Sequence, residues 1–270
     1  MPSLTTDQDL GALIAPLLED PTSTAVLSDI DGTLAPIAQD PEQVAVPDGA
    51  RAALAELSGR FAVVGCISGR RAEDARELVG VEGIAYSGNH GLELLLPGSD
   101  ELQVDPSLRD REDDAAGFMR DLDAAGLIAS GLRAEDKGPI QALHWRGADD
   151  EDAAASRARE IAAEAGRAGL EPRWGRKVLE LRPAGGGGKE AAVGALLAED
   201  GVSAAIYGGD DRTDVDAFHR LHDLRERGRL RAAVCVAVSS SEAPSELPEQ
   251  ADLIVDGPAG WLGVLRALAG

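Results

Sequence analysis

Aromatic side chains are scarce, with three Phe, two Tyr and three Trp in 270 residues. The core must therefore be built from Leu, Val, Ile and Ala. Two cysteines are too few for a disulfide-stapled scaffold. Cys66 and Cys235 sit in the apolar runs FAVVGCI and AAVCVAV, and read as reduced, buried small hydrophobes on strands. Positive charge is also short: 26 Lys and Arg face 48 Asp and Glu, a formal net charge of −22. Such a surface repels nucleic acid and anionic membranes, so neither is an expected partner. An anionic substrate would need cations supplied at its own site. No apolar run approaches the ~18 residues a membrane helix needs. The start, MPSLTTDQDLGALIAPLLED, has neither the basic flank nor the apolar stretch of a secretory signal. We expect a cytoplasmic protein and a monomer.

What is present is a repeating order of elements. Leu10–Leu18 reads as an amphipathic helix, Ala25–Asp29 as a strand, and Asp48–Ser58 as a helix stopped near Gly59. Phe61–Ile67 is a continuous apolar run, the pattern of a strand buried on both faces. A helix over Ala72–Val79 and a short strand over Gly83–Tyr86 follow. This β-α-β-α-β order predicts a parallel sheet with crossover helices.

From about Ser107 the character changes. Acidic, Ala-rich helical segments at 110–126 and 149–168 alternate with strand-like runs at 138–146 and 176–182. The glycines Gly185–Gly188 close this stretch. The first style then resumes. Helices are expected over Lys189–Ala198, Asp214–Arg220 and Trp261–Leu268, and strands over Ala204–Tyr207, Ala232–Val238 and Ala251–Val255. The expected fold is α/β, a Rossmann-like parallel-sheet core over 1–106 and 184–270 with a small α+β domain inserted at 107–183.

Ligands of open α/β sheets bind beyond the carboxyl ends of the strands. Asp29 and Asp31 stand there, in LSDIDGTL. Residues two apart on an extended chain point the same way. Two carboxylates at 4–5 Å repel by roughly 3–4 kcal/mol at an effective dielectric near 20. A shared proton or a divalent cation with oxygen ligands would offset this. A solvated Asp-Gly turn explains Asp31 but not Asp29. Ser68 ends the second strand and suits either a phosphate or the cap of the next helix. Asp210, Asp211 and Asp214 follow a glycine pair in YGGDDRTD, more acid than one helix cap needs. Lys189 opens a helix, where the dipole disfavours a cation, so it reads as a counter-charge to aspartates and a phosphoryl group.

Carboxylates after strand one, a hydroxyl after strand two, a lysine and a second set of carboxylates converge on one sheet edge. With that, the sequence resembles the haloacid dehalogenase superfamily of phosphotransferases, through DIDGTL at 29–34, ISGR at 67–70, Lys189 and GDDRTD at 209–214. More narrowly it is similar to the trehalose-6-phosphate phosphatases, through SGNHGLEL at 87–94, EDKGPIQALHWR at 135–146 and KVLELRP at 177–183. One departure from that family is Glu190, where Gly usually follows the lysine.

The resemblance implies a Mg²⁺-dependent phosphatase acting on trehalose 6-phosphate through an aspartyl-phosphate. Asp29 would be the nucleophile and Asp31 the acid and base, with Ser68 and Lys189 on the phosphoryl oxygens. Mg²⁺ would sit on Asp29, Asp31 and Asp210, backed by Asp211, Asp214 and Thr33. The inserted domain would be a mobile cap, in which Glu135, Lys137, Arg146 and Glu180 meet the sugar hydroxyls. Arg70, Asn89, His90 and Gly91 would read the sugar from the core. Trp145 and Trp174 read as cap core. Another sugar or polyol phosphate, such as sucrose 6-phosphate, remains open as substrate, as do a silent sugar-phosphate sensor and a phosphomutase.

Overall fold

The computed structural model describes residues 7–38, 43–108, 111, 113–175, 177–198, 201–240 and 243–270. The chain begins with α1 (Asp7–Leu18), β1 (Thr24–Ser28), α2 (Asp48–Ser58), β2 (Val63–Ile67), α3 (Ala72–Val79), β3 (Ala85–Gly88), β4 (Glu93–Leu95) and β5 (Gln103–Val104). It continues through α4 (Asp114–Asp121), α5 (Ala124–Ala129), β6 (Arg133–Lys137), β7 (Ile140–His144), α6 (Glu151–Arg167), β8 (Leu170–Gly175) and β9 (Val178–Pro183). It ends with α7 (Lys189–Leu196), β10 (Ala204–Gly209), α8 (Arg212–Glu226), β11 (Ala232–Ser239), β12 (Leu253–Asp256) and α9 (Gly257–Ala269). Two compact units result: residues 1–103 with 187–270, and residues 104–186.

The large unit is built on an eight-stranded sheet of order β12-β11-β10-β1-β2-β3-β4-β5. The pairs from β12 to β3 are parallel, and β4 runs antiparallel to β3. The strands read as unbroken apolar runs because both faces are covered. Val26, Ile206, Val234 and Val236 pack towards α1, α2, α3 and α9. Ala25, Leu27, Tyr207 and Cys235 pack towards α7 and α8 on the other face. From β1 the strand order runs one way through β2 and β3, and the other way through β10, β11 and β12. The sheet therefore changes direction between β1 and β10, the position at which doubly wound sheets open a crevice for ligands.

The small unit holds a four-stranded antiparallel sheet of order β6-β7-β9-β8. Leu143, Leu179 and Leu181 face its helices, with Ala158 and Ile161 of α6 in the same cluster. The register places Glu135 opposite Ala142, and Ala142 opposite Glu180. The other face of the sheet therefore carries polar groups.

Three departures from the sequence expectations bear on the small unit. The helix expected over 110–126 is two helices, because Asp123 turns its carboxylate onto the Ala125 N–H and starts α5 anew. The strand expected over 138–146 begins only at Ile140, after a hairpin turn from β6. Trp174 is 48% exposed and meets the buried Trp145 edge to face at 6.0 Å, so it is not core.

Candidate active site

The turn after β1 is tight. Leu34 and Ala35 both return their N–H groups to Ile30 O, and Gly32 N donates to Ala35 O at 2.8 Å. Gly32 has φ +91°, and a Cβ there would collide with the Asp210 carboxylate. Glycine thus lets the backbone of residues 31–33 lie directly against Asp210. Thr33 Oγ1 donates to Asp210 Oδ1 at 3.2 Å. Two strands side by side therefore bring Asp29 and Asp210 together from the two sides of the switch point.

Lys189, 2% exposed at the start of α7, is the cation of the cluster. Its Nζ lies 2.9 Å from Asp29 Oδ1 and 2.7 Å from Asp214 Oδ1. Asp211 Oδ1 is farther, at 3.9 Å. Burial opposes the ammonium charge, but Asp211, Asp214 and Asp29 override it and hold the lysine pKa well above its ordinary value. Burial also dominates at Asp29. Lys189 opposes it, but Asp214, Asp211 and Asp210 add repulsion, and the carboxyl is pushed well above the usual range.

Asp214 is the hub behind these groups. Its Oδ1 accepts from Lys189 Nζ and from Tyr207 OH at 2.6 Å. Its Oδ2 accepts from Asp210 N and Asp211 N, each at 2.8 Å. All four acceptor positions of the carboxylate are then taken. Asp211 caps α8 by accepting from Thr213 N and Asp214 N. Burial resists its ionisation, but Lys189 and the Thr213 hydrogen bond hold its carboxyl well below the usual range.

Carboxylate oxygens of Asp29, Asp210 and Asp214 lie within 4.8 Å of one another. This all-oxygen donor set suits a hard divalent cation such as Mg²⁺. With Asp214 fully engaged, Asp29 and Asp210 are the two that fit the ion. The repulsion from Asp214, Asp211 and Asp210 that adds to burial at Asp29 is charge a cation would offset.

Asp31 is held differently. Arg70 grips it with two bonds, from Nε at 2.8 Å and from Nη2 at 2.7 Å. Ser68, 1% exposed, lies after β2. Its Oγ accepts from Arg70 N at 3.2 Å, and α3 starts only at Ala72, so Ser68 is not the helix cap. Asn89 and His90 follow β3 with φ of 48° and 54°, both left-handed. Gly91 continues the turn at φ +98°, and His90 O accepts from Gly188 N at 2.7 Å. This last bond ties the turn to the loop before Lys189.

Two groups escaped sequence reasoning. Glu93, 3% exposed, accepts from Asn89 Nδ2 at 2.8 Å and from Ala72 N at 2.9 Å, bracing the 89–91 turn. Its only signal was a lone acid within the apolar run GLELLL. Tyr207, which holds Asp214, reads as an ordinary core residue of β10.

In the small unit the polar sheet face carries Glu135, Lys137 and Glu180. Glu180 is buried and accepts from Lys137 Nζ at 3.0 Å and from Arg182 Nη2 at 2.8 Å. Glu135 pairs with His144 Nε2 at 2.6 Å, and that bond, working against partial burial, lowers the Glu135 pKa. Arg146 lies just past the end of β7.

A profile of the trehalose-phosphatase family matches residues 27–257. A trehalose-phosphate phosphatase of Mycobacterium avium (strain 104) is 36% identical over 209 residues, covering 72% of this chain and 50% of the relative. The chain thus spans about half the length of such a curated relative. Among solved structures, the C-terminal domain of the Candida albicans trehalose-6-phosphate phosphatase superposes with a TM-score of 0.76. That match has 24% identity and covers 100% of this chain and 98% of that one. A haloacid dehalogenase-like hydrolase from Bacteroides thetaiotaomicron superposes at 0.60 with 16% identity, covering 90% and 98%. At those identities the structures speak for the fold, while the profile covers most of the chain and all of the strand-end acids. The chain belongs to the trehalose-phosphatase family.

Proposed function

We propose that this protein hydrolyses trehalose 6-phosphate to trehalose and inorganic phosphate. The observation that carries the reading is the buried pair Asp29 and Asp210 at the sheet's switch point, with Lys189 bound to Asp29, in a chain of this family. An Asp29 oxygen attacks phosphorus and the bond to the sugar oxygen breaks, giving an aspartyl-phosphate. Asp31 protonates the departing sugar oxygen, then takes a proton from the water that attacks the phosphoryl group. To act, Asp31 must leave the Arg70 fork, and a substrate anion competing for that guanidinium is the natural trigger. Lys189 and Ser68 hold the phosphoryl oxygens. The Ser68 oxygen accepts from Arg70 N, which leaves its own hydrogen to donate.

Mg²⁺ would be held by Asp29, Asp210 and the Asp31 carbonyl, and would supply positive charge against both the carboxylates and the phosphoryl oxygens. Thr33, Asp211 and Asp214 keep those groups in place. Arg70, Asn89, His90 and Gly91 face the sugar from the core. We take residues 107–183 as the cap, whose Glu135, Lys137, Arg146 and Glu180 recognise sugar hydroxyls. Both cysteines are free and buried, which suits residence in a reducing cytoplasm. We take the protein to act as a monomer. No helix among the described residues is long and apolar enough to cross a membrane.

Phosphate release from trehalose 6-phosphate, with sucrose 6-phosphate and glucose 6-phosphate alongside, tests the reading. We expect trehalose 6-phosphate to have the highest kcat/KM, with turnover abolished by chelator and restored by Mg²⁺. A higher kcat/KM for another ester, or turnover indifferent to chelator, overturns it.

A further inference from the structure

A second group of metal-ligating side chains comes together among the described residues, away from the phosphate site. His222, Cys235 and Asp252 bring an imidazole nitrogen, the thiol sulfur and a carboxylate oxygen within 4.8 Å of one another. They come from three separate segments: the last third of α8, the buried strand β11, and the residue before β12. The whole chain has only four histidines and two cysteines. One of each meets a carboxylate here.

The three groups are not otherwise spoken for in a way that explains their meeting. Neither ring nitrogen of His222 has a hydrogen-bond partner among the described residues. Cys235 Sγ makes only a weak contact with Phe218 O, at 3.9 Å. Asp252 is oriented by the backbone of β11: its Oδ2 accepts from Cys235 N at 2.8 Å, and its own N–H donates to Cys235 O at 2.8 Å. That pairing leaves the second carboxylate oxygen to act as a ligand. Cys235 is fully buried, His222 is half-buried and Asp252 is exposed, so the group opens to solvent on one side.

We propose that His222, Cys235 and Asp252 form a binding site for a zinc-class divalent ion, one that prefers sulfur and nitrogen to oxygen. A thiolate, an imidazole and a carboxylate are three of the four ligands of a tetrahedral zinc site, and water takes the fourth position. On binding, the Cys235 thiol gives up its proton to solvent and the sulfur donates to the metal. Thiolate and carboxylate together neutralise the ion. Tetrahedral bond lengths put ligand atoms about 3.5 Å apart. The three atoms lie within 4.8 Å of one another, so the group closes by at most about 1.3 Å to reach that spacing, and the less buried His222 and Asp252 have the freedom to do so. The bound ion clips α8, which Asp211 caps and whose first turn carries Asp214, to β11 and β12. Ligand chemistry sorts the two sites: hard oxygens take Mg²⁺ at Asp29 and Asp210, and soft donors take the zinc-class ion here.

Cobalt titration of the full chain in excess Mg²⁺ tests the proposal without any turnover. Co²⁺ bound by a thiolate gives a charge-transfer band in the near ultraviolet, and Co²⁺ on the oxygen cluster gives none. The band therefore reports cobalt on a cysteine sulfur. We expect it to saturate at one cobalt per chain, vanish in Cys235→Ser, persist in Cys66→Ser and bleach on adding Zn²⁺. His222→Ala should weaken apparent affinity by about tenfold or more, since loss of even an outer partner costs that much. His222 is on the partly exposed side, so this variant decides the matter even where Cys235→Ser folds poorly. No band in the parent chain, a band that depends on Cys66, or one unmoved by His222→Ala overturns the proposal.

Discussion

Glu93→Gln isolates the brace behind the Asn89–His90 turn. Two consecutive non-glycine residues there hold left-handed φ values, at a cost of about 1–2 kcal/mol each. The Glu93 carboxylate offsets that strain by accepting from Asn89 Nδ2 on one oxygen and from Ala72 N on the other. Glutamine has the same shape but only one accepting oxygen. Whichever donor it serves, the other faces an amide NH₂. A buried donor left unsatisfied costs about 1–3 kcal/mol, so that is the expected loss in urea unfolding at neutral pH. The turn also carries His90, so KM for the sugar phosphate should rise more than kcat falls. The double variant Asn89→Asp with Glu93→Gln reverses donor and acceptor across the same bond. It should recover most of the lost stability. Unfolding of Glu93→Gln at the parent's urea midpoint, or a double variant no more stable than the single one, would refute the reasoning.

Lys189→Met leaves Asp29 and Asp214 buried beside each other without their cation. Breaking a buried pair in this way costs about 3–5 kcal/mol, measured by urea unfolding near pH 8. The penalty should shrink on acidification, because both carboxyls, already raised by burial, then protonate in the fold; a loss independent of pH would contradict this. Mg²⁺ affinity should rise with pH, since a cation competes with the proton that burial favours on Asp29, and calorimetry in buffers of different ionisation heat should show proton release. Asp210→Asn should lower that affinity by about tenfold or more, whereas unchanged affinity would remove Asp210 from the ion's ligands.

Much of this arrangement was legible in the sequence because burial leaves a clear trace in an α/β core. The bounds expected for α2 and α3 match those observed, since both have apolar residues at helical spacing and a glycine just beyond the end. The acids at 29 and 210 stood out because each follows an unbroken apolar run. The edge strands β6 and β8 left no such trace. RAEDK is almost wholly exposed and has no apolar alternation, and LEPRWG contains a proline that only an edge strand tolerates. Lys189 read as a counter-charge to the aspartates, but that Asp29 and Asp214 are the two it meets is set by the strand order. The Arg70 fork on Asp31 spans 39 residues and leaves no trace, whereas the Asn89–Glu93 and Tyr207–Asp214 bonds reach only 4 and 7 residues and are hidden because Glu93 and Tyr207 each sit in an apolar strand run.

The account stands on Asp29 as the group that receives the phosphoryl transfer. Borohydride reduces an aspartyl-phosphate to homoserine, so quenching the enzyme during turnover of trehalose 6-phosphate with Mg²⁺ and sequencing the peptides tests this directly. We expect homoserine at position 29, with none in Asp29→Asn or without substrate. Modification at another acid, or Asp29→Asn releasing phosphate at the parent's rate, contradicts the central claim.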